Sequence, residues 1–169
     1  MFNLKKKFDR WIQASGFFFG AKSTRAARIF SDSARLRGNS DGATSLGELG
    51  ELQALRYLQE LGYKIIAHGH RQRLGEIDLI AIDGTTIVFV EVKTWVSDDE
   101  ADPSAAVDLS KQKKITRTAL MYLKRQRLLN QACRFDVVSI VWNGSPTVIP
   151  RIRHFKAAFE AVGHGQLYC

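Results

Sequence analysis

Glu91 and Lys93 stand two residues apart in the stretch Ile87-Val88-Phe89-Val90-Glu91-Val92-Lys93. Side chains of a strand alternate between its faces, so this pair projects with Ile87 and Phe89. The segment is apolar on both faces and therefore reads as a central, buried strand. A charge in such a place needs a partner or a metal. A Glu-x-Lys tripeptide alone is a common ion pair, so chemistry requires further residues. Asp78, in Glu76-Ile77-Asp78-Leu79-Ile80, and Glu51, in a leucine-rich segment, supply them. Three carboxylates and one lysine converging on one place match the needs of metal-assisted phosphodiester hydrolysis. A metal polarises the phosphate and acidifies a bound water. Oxygen donors suit Mg2+ or Mn2+. A lysine beside them orients or deprotonates the attacking water and offsets charge on the phosphate.

The elements that must position these residues are legible in outline. Leu49, Leu52, Leu55, Leu58 and Leu61 recur every three residues, which predicts a helix that Gly62 ends. At about 100° per residue Glu51 falls near the middle of its apolar arc, where a carboxylate is costly without a task. Glu48 lies off that centre and suits the first helical turn. Lys64–Ala67 reads as a short strand. Glu76–Ile82 and Thr85–Lys93 read as two strands joined at Asp83-Gly84, a hairpin signal. That turn pairs Ile82 with Thr85, Asp78 with Phe89 and Glu76 with Glu91. Asp78 and Glu91 are then diagonal neighbours on one face, roughly 7–8 Å apart. Residues 105–129 read as a long helix with a basic outer side that includes Lys111. Arg134–Trp142 and Thr147–Arg153 follow as strands, and Phe155–Ala161 as a short closing helix. The order predicts an α/β domain with a mixed sheet flanked by helices.

Composition bounds the function. The 169-residue chain carries a net charge of +8. Residues 1–45 hold nine Lys/Arg against three Asp/Glu, so most of the excess belongs to this arm. The arm reads as a flexible basic extension, suited to polyanions, and residues 46–169 as the folded domain. No apolar run approaches the ~20 residues that span a bilayer, and the chain reads as cytoplasmic and without a membrane partner. Cys133 and Cys169 form no zinc-ligand pattern, and Cys133 reads as a buried or half-buried free thiol. Arg71 and Arg73, before the acidic strand, and Lys111 and Gln112, at the start of the long helix, are candidates for nucleic-acid contact. His68 and His70 read as exposed loop residues. Phosphate-binding glycine loops, H-E-x-x-H and G-x-S-x-G are absent.

The combined pattern resembles the bacterial YraN-like family. The resemblance is carried by Gly50-Glu51, by Gly75-Glu76-Ile77-Asp78-Leu79-Ile80-Ala81 and by Val88-Phe89-Val90-Glu91-Val92-Lys93-Thr94. Ala106-Val107, Lys111-Gln112 and Arg134-Phe135-Asp136-Val137-Val138 add to it. It covers about residues 46–161 and leaves out the arm. Gly69-His70-Arg71 and Trp95 depart from the family pattern, and neither is a proposed ligand. The resemblance implies the PD-(D/E)XK fold of restriction endonucleases and archaeal Holliday junction resolvases. It implies Asp78 and Glu91 as metal ligands, Lys93 as the catalytic lysine and Glu51 as a helix-borne acid. It also implies DNA as substrate, branched or damaged DNA included. Two other readings stay open: a non-catalytic nucleic-acid-binding protein on the nuclease fold, and a nuclease subunit that needs a partner. A homodimer is open as well.

Overall fold

A computed structural model describes residues 45–72, 75–96, 107–143 and 149–163, the side chains of Arg71 and Gln72 excepted. Helix α1 (Leu46–Glu60) leads into β1 (Lys64–Gln72), β2 (Gly75–Asp83) and β3 (Thr86–Val96). Helix α2 (Leu109–Arg125) then crosses to β4 (Cys133–Trp142), and β5 (Arg151–Phe159) follows. The five strands lie in sequence order in one sheet. Only β3 and β4 run parallel, and the other three pairings are antiparallel. A parallel pair requires a crossover, which α2 supplies. This is the mixed α/β sheet with flanking helices that the sequence predicts.

Each helix covers one face. Ala54 and Leu58 of α1 pack in a core with Leu79, Ala81, Val88, Val90, Val138, Ile140 and Trp142. Tyr122 of α2 meets Phe89 edge-on at 6.0 Å on the other face, where Phe89 stacks with Phe135 at 5.7 Å. Both ends of α2 are closed by local bonds. Asp108 accepts from the Lys111 N–H at 2.7 Å, an N-cap. The Leu128 N–H donates to the Leu123 carbonyl past Arg127, which takes a positive φ of 58°. Gly50 brings α1 against β3. A Cβ at this position would run into the Thr94 hydroxyl, so glycine allows the close approach of α1 to β3.

Several boundaries differ from the sequence reading. The hairpin turn is Gly84-Thr85 rather than Asp83-Gly84, since Asp83 pairs with Thr86 and Ile82 with Ile87. Gly84 takes the positive φ of 61° in the turn. The register therefore moves by two residues, and its last recorded pair is Leu79 with Val90. One step further would set Asp78 level with Glu91 instead of Phe89. β1 extends to Gln72, because β2 pairs with it down to Gly75. His68 and His70 consequently lie on a strand, not in a loop. Helix α2 ends at Arg125, before the expected Leu129, and residues 105–106 lie outside the described set.

The closing helix expected at Phe155–Ala161 is strand β5 down to Phe159. Its Lys, Ala and Glu favour helix, but pairing along β4 overrides that preference. The ladder breaks at Asp136, whose Oδ1 accepts the Ala157 N–H at 2.9 Å where Ala157 has φ 50°. Cys133 is buried and disulfide-bonded, against the free thiol expected. The other cysteine, Cys169, lies outside the described residues. No helix among the described residues is long and apolar enough to cross a membrane.

Candidate active site

Past Leu79 and Val90 the β2–β3 ladder yields to a side chain. Asp78 Oδ2 accepts the Val92 N–H at 2.7 Å, so a carboxylate occupies a backbone donor at the point where the recorded pairing stops. Next to Val92, Glu91 is 4% exposed although charged. Its Oε1 receives Lys93 Nζ at 3.0 Å and Lys111 Nζ at 3.0 Å. Its Oε2 is buried and has no hydrogen-bond partner among the described residues. One oxygen shared by two ammonium groups beside an orphaned oxygen is an asymmetric arrangement for a structural ion pair. A buried carboxylate normally finds partners for both oxygens.

Asp78 senses this neighbourhood. Burial raises its pKa, and repulsion from Glu91 raises it further, with Glu51 adding a smaller push. The Val92 N–H and Lys111 oppose the shift, and the result is about 7. Lys111 shows the complementary effect. Burial disfavours its charge, but attraction to Glu91 outweighs this and raises its pKa.

Glu51 lies within electrostatic reach of Asp78 but is turned elsewhere. Its Oε2 sits 2.8 Å from His68 Nε2. That hydrogen bond is the main cause of the raised pKa of His68. Sequence reasoning treated His68 as incidental. The extended β1 places it on the strand beside α1, and so it meets Glu51.

The structure thus brings Asp78, Glu91, Lys93 and Lys111 together, with Glu51 nearby and paired. Among the described residues no three His, Cys, Asp or Glu side chains form a ready cation cage. Gln112 is not part of the group. Its Nε2 donates to the Val107 carbonyl at 2.8 Å and fastens the start of α2. Arg73 and the Arg71 side chain lie outside the described residues. Glu76 is exposed and contributes to the field at Lys111.

Lys111 was read from sequence as part of a basic outer side. It belongs to an inner row instead: Lys111, Ile115, Thr118 and Tyr122 recur at i, i+4, i+7 and i+11, and the last three are buried. A lysine heading a row of core positions was the signal that could have found it.

Donor chemistry fits a hard divalent cation. Asp78 and Glu91 offer oxygen ligands, one of them orphaned and buried. The mutual repulsion that pushes Asp78 up is what a cation between the two would relieve. The site residues named here fall between residues 50 and 140, the span matched by the model described as "Uncharacterised protein family UPF0102". A UPF0102 protein of Rhodopirellula baltica is 44% identical over 133 residues, which cover 78% of this chain and 80% of that protein. One of Geobacter metallireducens is 47% identical over 116 residues, 69% of this chain and 93% of that protein. One of Syntrophus aciditrophicus is 46% identical over 114 residues, 68% and 87% of the two. With identity at this level across most of each sequence, the chain belongs to UPF0102, the YraN-like family.

Proposed function

We propose that this protein is a Mg2+- or Mn2+-dependent nuclease that hydrolyses phosphodiester bonds in DNA, with branched or damaged DNA as the first substrates to try. The observation that carries the reading is Glu91. It is a buried carboxylate with two lysines on one oxygen and none on the other. Asp78 and Glu91 would hold the metal, and Glu51 would join them on release from His68. The metal, when bound, supplies Lewis acidity to the phosphate and a more acidic water.

The chain's own groups do the rest. Lys93 and Lys111 keep two positive charges at the carboxylate, where an incoming phosphate diester needs its charge offset. The Lys93 side chain is 27% exposed while its ammonium touches the buried carboxylate. In this reading it would orient a water for attack. Asp78, fixed by the Val92 N–H, cannot swing away from β3 without leaving a backbone donor unpaired.

A second reading has its own support. Glu51 is paired with His68, and Glu91 Oε1 with two lysines. A protein that binds nucleic acid without cutting it, or a subunit completed by a partner, would hold its charges this way. Titration calorimetry with Mn2+ separates the two. We expect binding by the wild type and at least a tenfold loss in Asp78→Asn and Glu91→Gln. Wild-type protein that takes up no Mn2+, alone or with DNA, would leave only this second reading.

A further inference from the structure

The outer side of α2 carries a pattern that the helix does not explain. Lys113, Lys114, Arg117, Lys124 and Arg125 are all exposed. At about 100° per residue they fall within one arc of about 120°. The helix contains no Asp or Glu, so nothing on it alternates in sign with them. An ordinary solvated helix face mixes charges at i, i+3 and i+4 spacing, because like pairs at those distances repel. Here Lys113 and Arg117 are four apart, and Lys114 and Arg117 three apart.

The helix dipole divides the five. Lys124 and Arg125 stand in the last turn, where cations are favoured. They need no further explanation. Lys113, Lys114 and Arg117 are the fifth, sixth and ninth residues of the 17-residue helix, away from the C-terminal turn where the dipole favours cations. Their mutual repulsion disfavours them there, and an anionic partner would offset it.

Their position relates them to the site. Lys111 of the first turn reaches Glu91 at 3.0 Å. Lys113 and Lys114 follow within one turn and Arg117 about one turn later, within about 10 Å along the axis. The only aromatic residue of α2, Tyr122, is buried, so its exposed face offers no ring on which unpaired bases could stack. A rigid row of cations without a stacking surface suits the backbone of a double helix.

We infer that Lys113, Lys114 and Arg117 bind phosphates of a duplex arm flanking the bond presented to Glu91 and Lys93. This rests on the nuclease reading for the position of that bond, and it adds the surface and the duplex form of the substrate. The test uses the full chain carrying Asp78→Asn, so that bound DNA is not cut. Affinity for a 20-base-pair duplex and for a single strand of the same sequence is measured by fluorescence anisotropy across a salt series.

Adding Lys113→Gln, Lys114→Gln and Arg117→Gln removes three cations. The duplex slope of log K against log salt should become shallower by about 2.7, at 0.9 per phosphate contact. Affinity at low salt should fall at least tenfold. Melting temperature should hold or rise, because repulsion within α2 is relieved. Lys124→Gln with Arg125→Gln should change the slope by less. An unchanged duplex slope in the triple variant would overturn the inference, as would a change confined to the single strand. Either result would leave metal-dependent cleavage by the wild type as a separate check on the nuclease reading. A parent chain that binds no DNA would overturn both.

Discussion

Lys93→Ala should cut the rate of DNA cleavage by about 10²–10⁴-fold, the range for removing a positioned proton-transfer or charge-stabilising group. That corresponds to about 2.7–5.5 kcal/mol of lost transition-state stabilisation. The reason lies in the ion pair of Lys93 with Glu91. Its Nζ lies 3.0 Å from Glu91 Oε1, an oxygen that Lys111 also holds. Glu91 therefore keeps a counter-ion when Lys93 is lost, and metal affinity should hold or tighten as a like charge leaves the site. Loss of cleavage with retained Mn2+ binding is the expected split. If Mn2+ binding fell in step with cleavage, Lys93 would be holding Glu91 in place and nothing more. Lys93→Arg keeps the charge but cannot give up a proton, so its residual rate separates charge stabilisation from proton transfer.

The second large effect concerns stability, at Asp136, three rungs along the β3–β4 ladder from Lys93. Asp136 is fully buried. It receives Arg134 Nε at 2.8 Å and Arg134 NH2 at 3.0 Å, lies 2.8 Å from His154 Nε2 and accepts the Ala157 N–H. Arg134 goes on to the Tyr63 hydroxyl and to Asp83, which ties the β2 end of the hairpin to β4. Removing one member of a buried charged group strands the others. Asp136→Ala should therefore destabilise by about 3–5 kcal/mol in urea unfolding at pH 7. A loss below about 1 kcal/mol would show the group to be ornamental to the fold.

Asp136 also predicts an acid limb of stability. Burial works to raise its pKa, but hydrogen bonds from His154, Arg134 and Ala157 outweigh burial and hold it below the ordinary 3.8. A carboxyl with a lower pKa in the folded state binds fewer protons there than in the unfolded state. Its contribution is complete above the unfolded value and is lost as the pH falls through the folded one. Wild type should lose stability below about pH 4, and Asp136→Ala should lose less over the same interval. Parallel pH profiles for the two proteins would contradict this.

The chemistry was easier to read from sequence than the register that delivers it. Asp78, Glu91 and Lys93 were visible because charges interrupt segments otherwise built for burial. The hairpin was visible too, but its turn was placed one residue early, which shifts the pairing by two. A shift of two keeps each side chain on its expected face, so the association of Asp78 with Glu91 survived the error. Local preference failed at β5, where residues that favour helix extend the sheet and place His154 against Asp136. It failed again at Lys111, where a run of lysines hid one member that lies on the buried row of α2. His68 was missed because β1 runs further than its apolar core, Ile65-Ile66-Ala67, suggests. In each case the deciding interaction lies far away in sequence, such as Glu91 for Lys111 and Glu51 for His68.

The central claim is that Asp78, Glu91 and Lys93 form a metal-dependent phosphodiesterase site. The most direct measurement is cleavage of a panel of DNAs, with duplexes, flaps and four-way junctions, in Mg2+, in Mn2+ and in EDTA. Wild type and Asp78→Asn are compared side by side, with binding followed in parallel. The account predicts cleavage by wild type in either metal, none in EDTA, and none by Asp78→Asn although it still binds DNA. Wild-type protein that binds these DNAs but cuts none of them in either metal would contradict it.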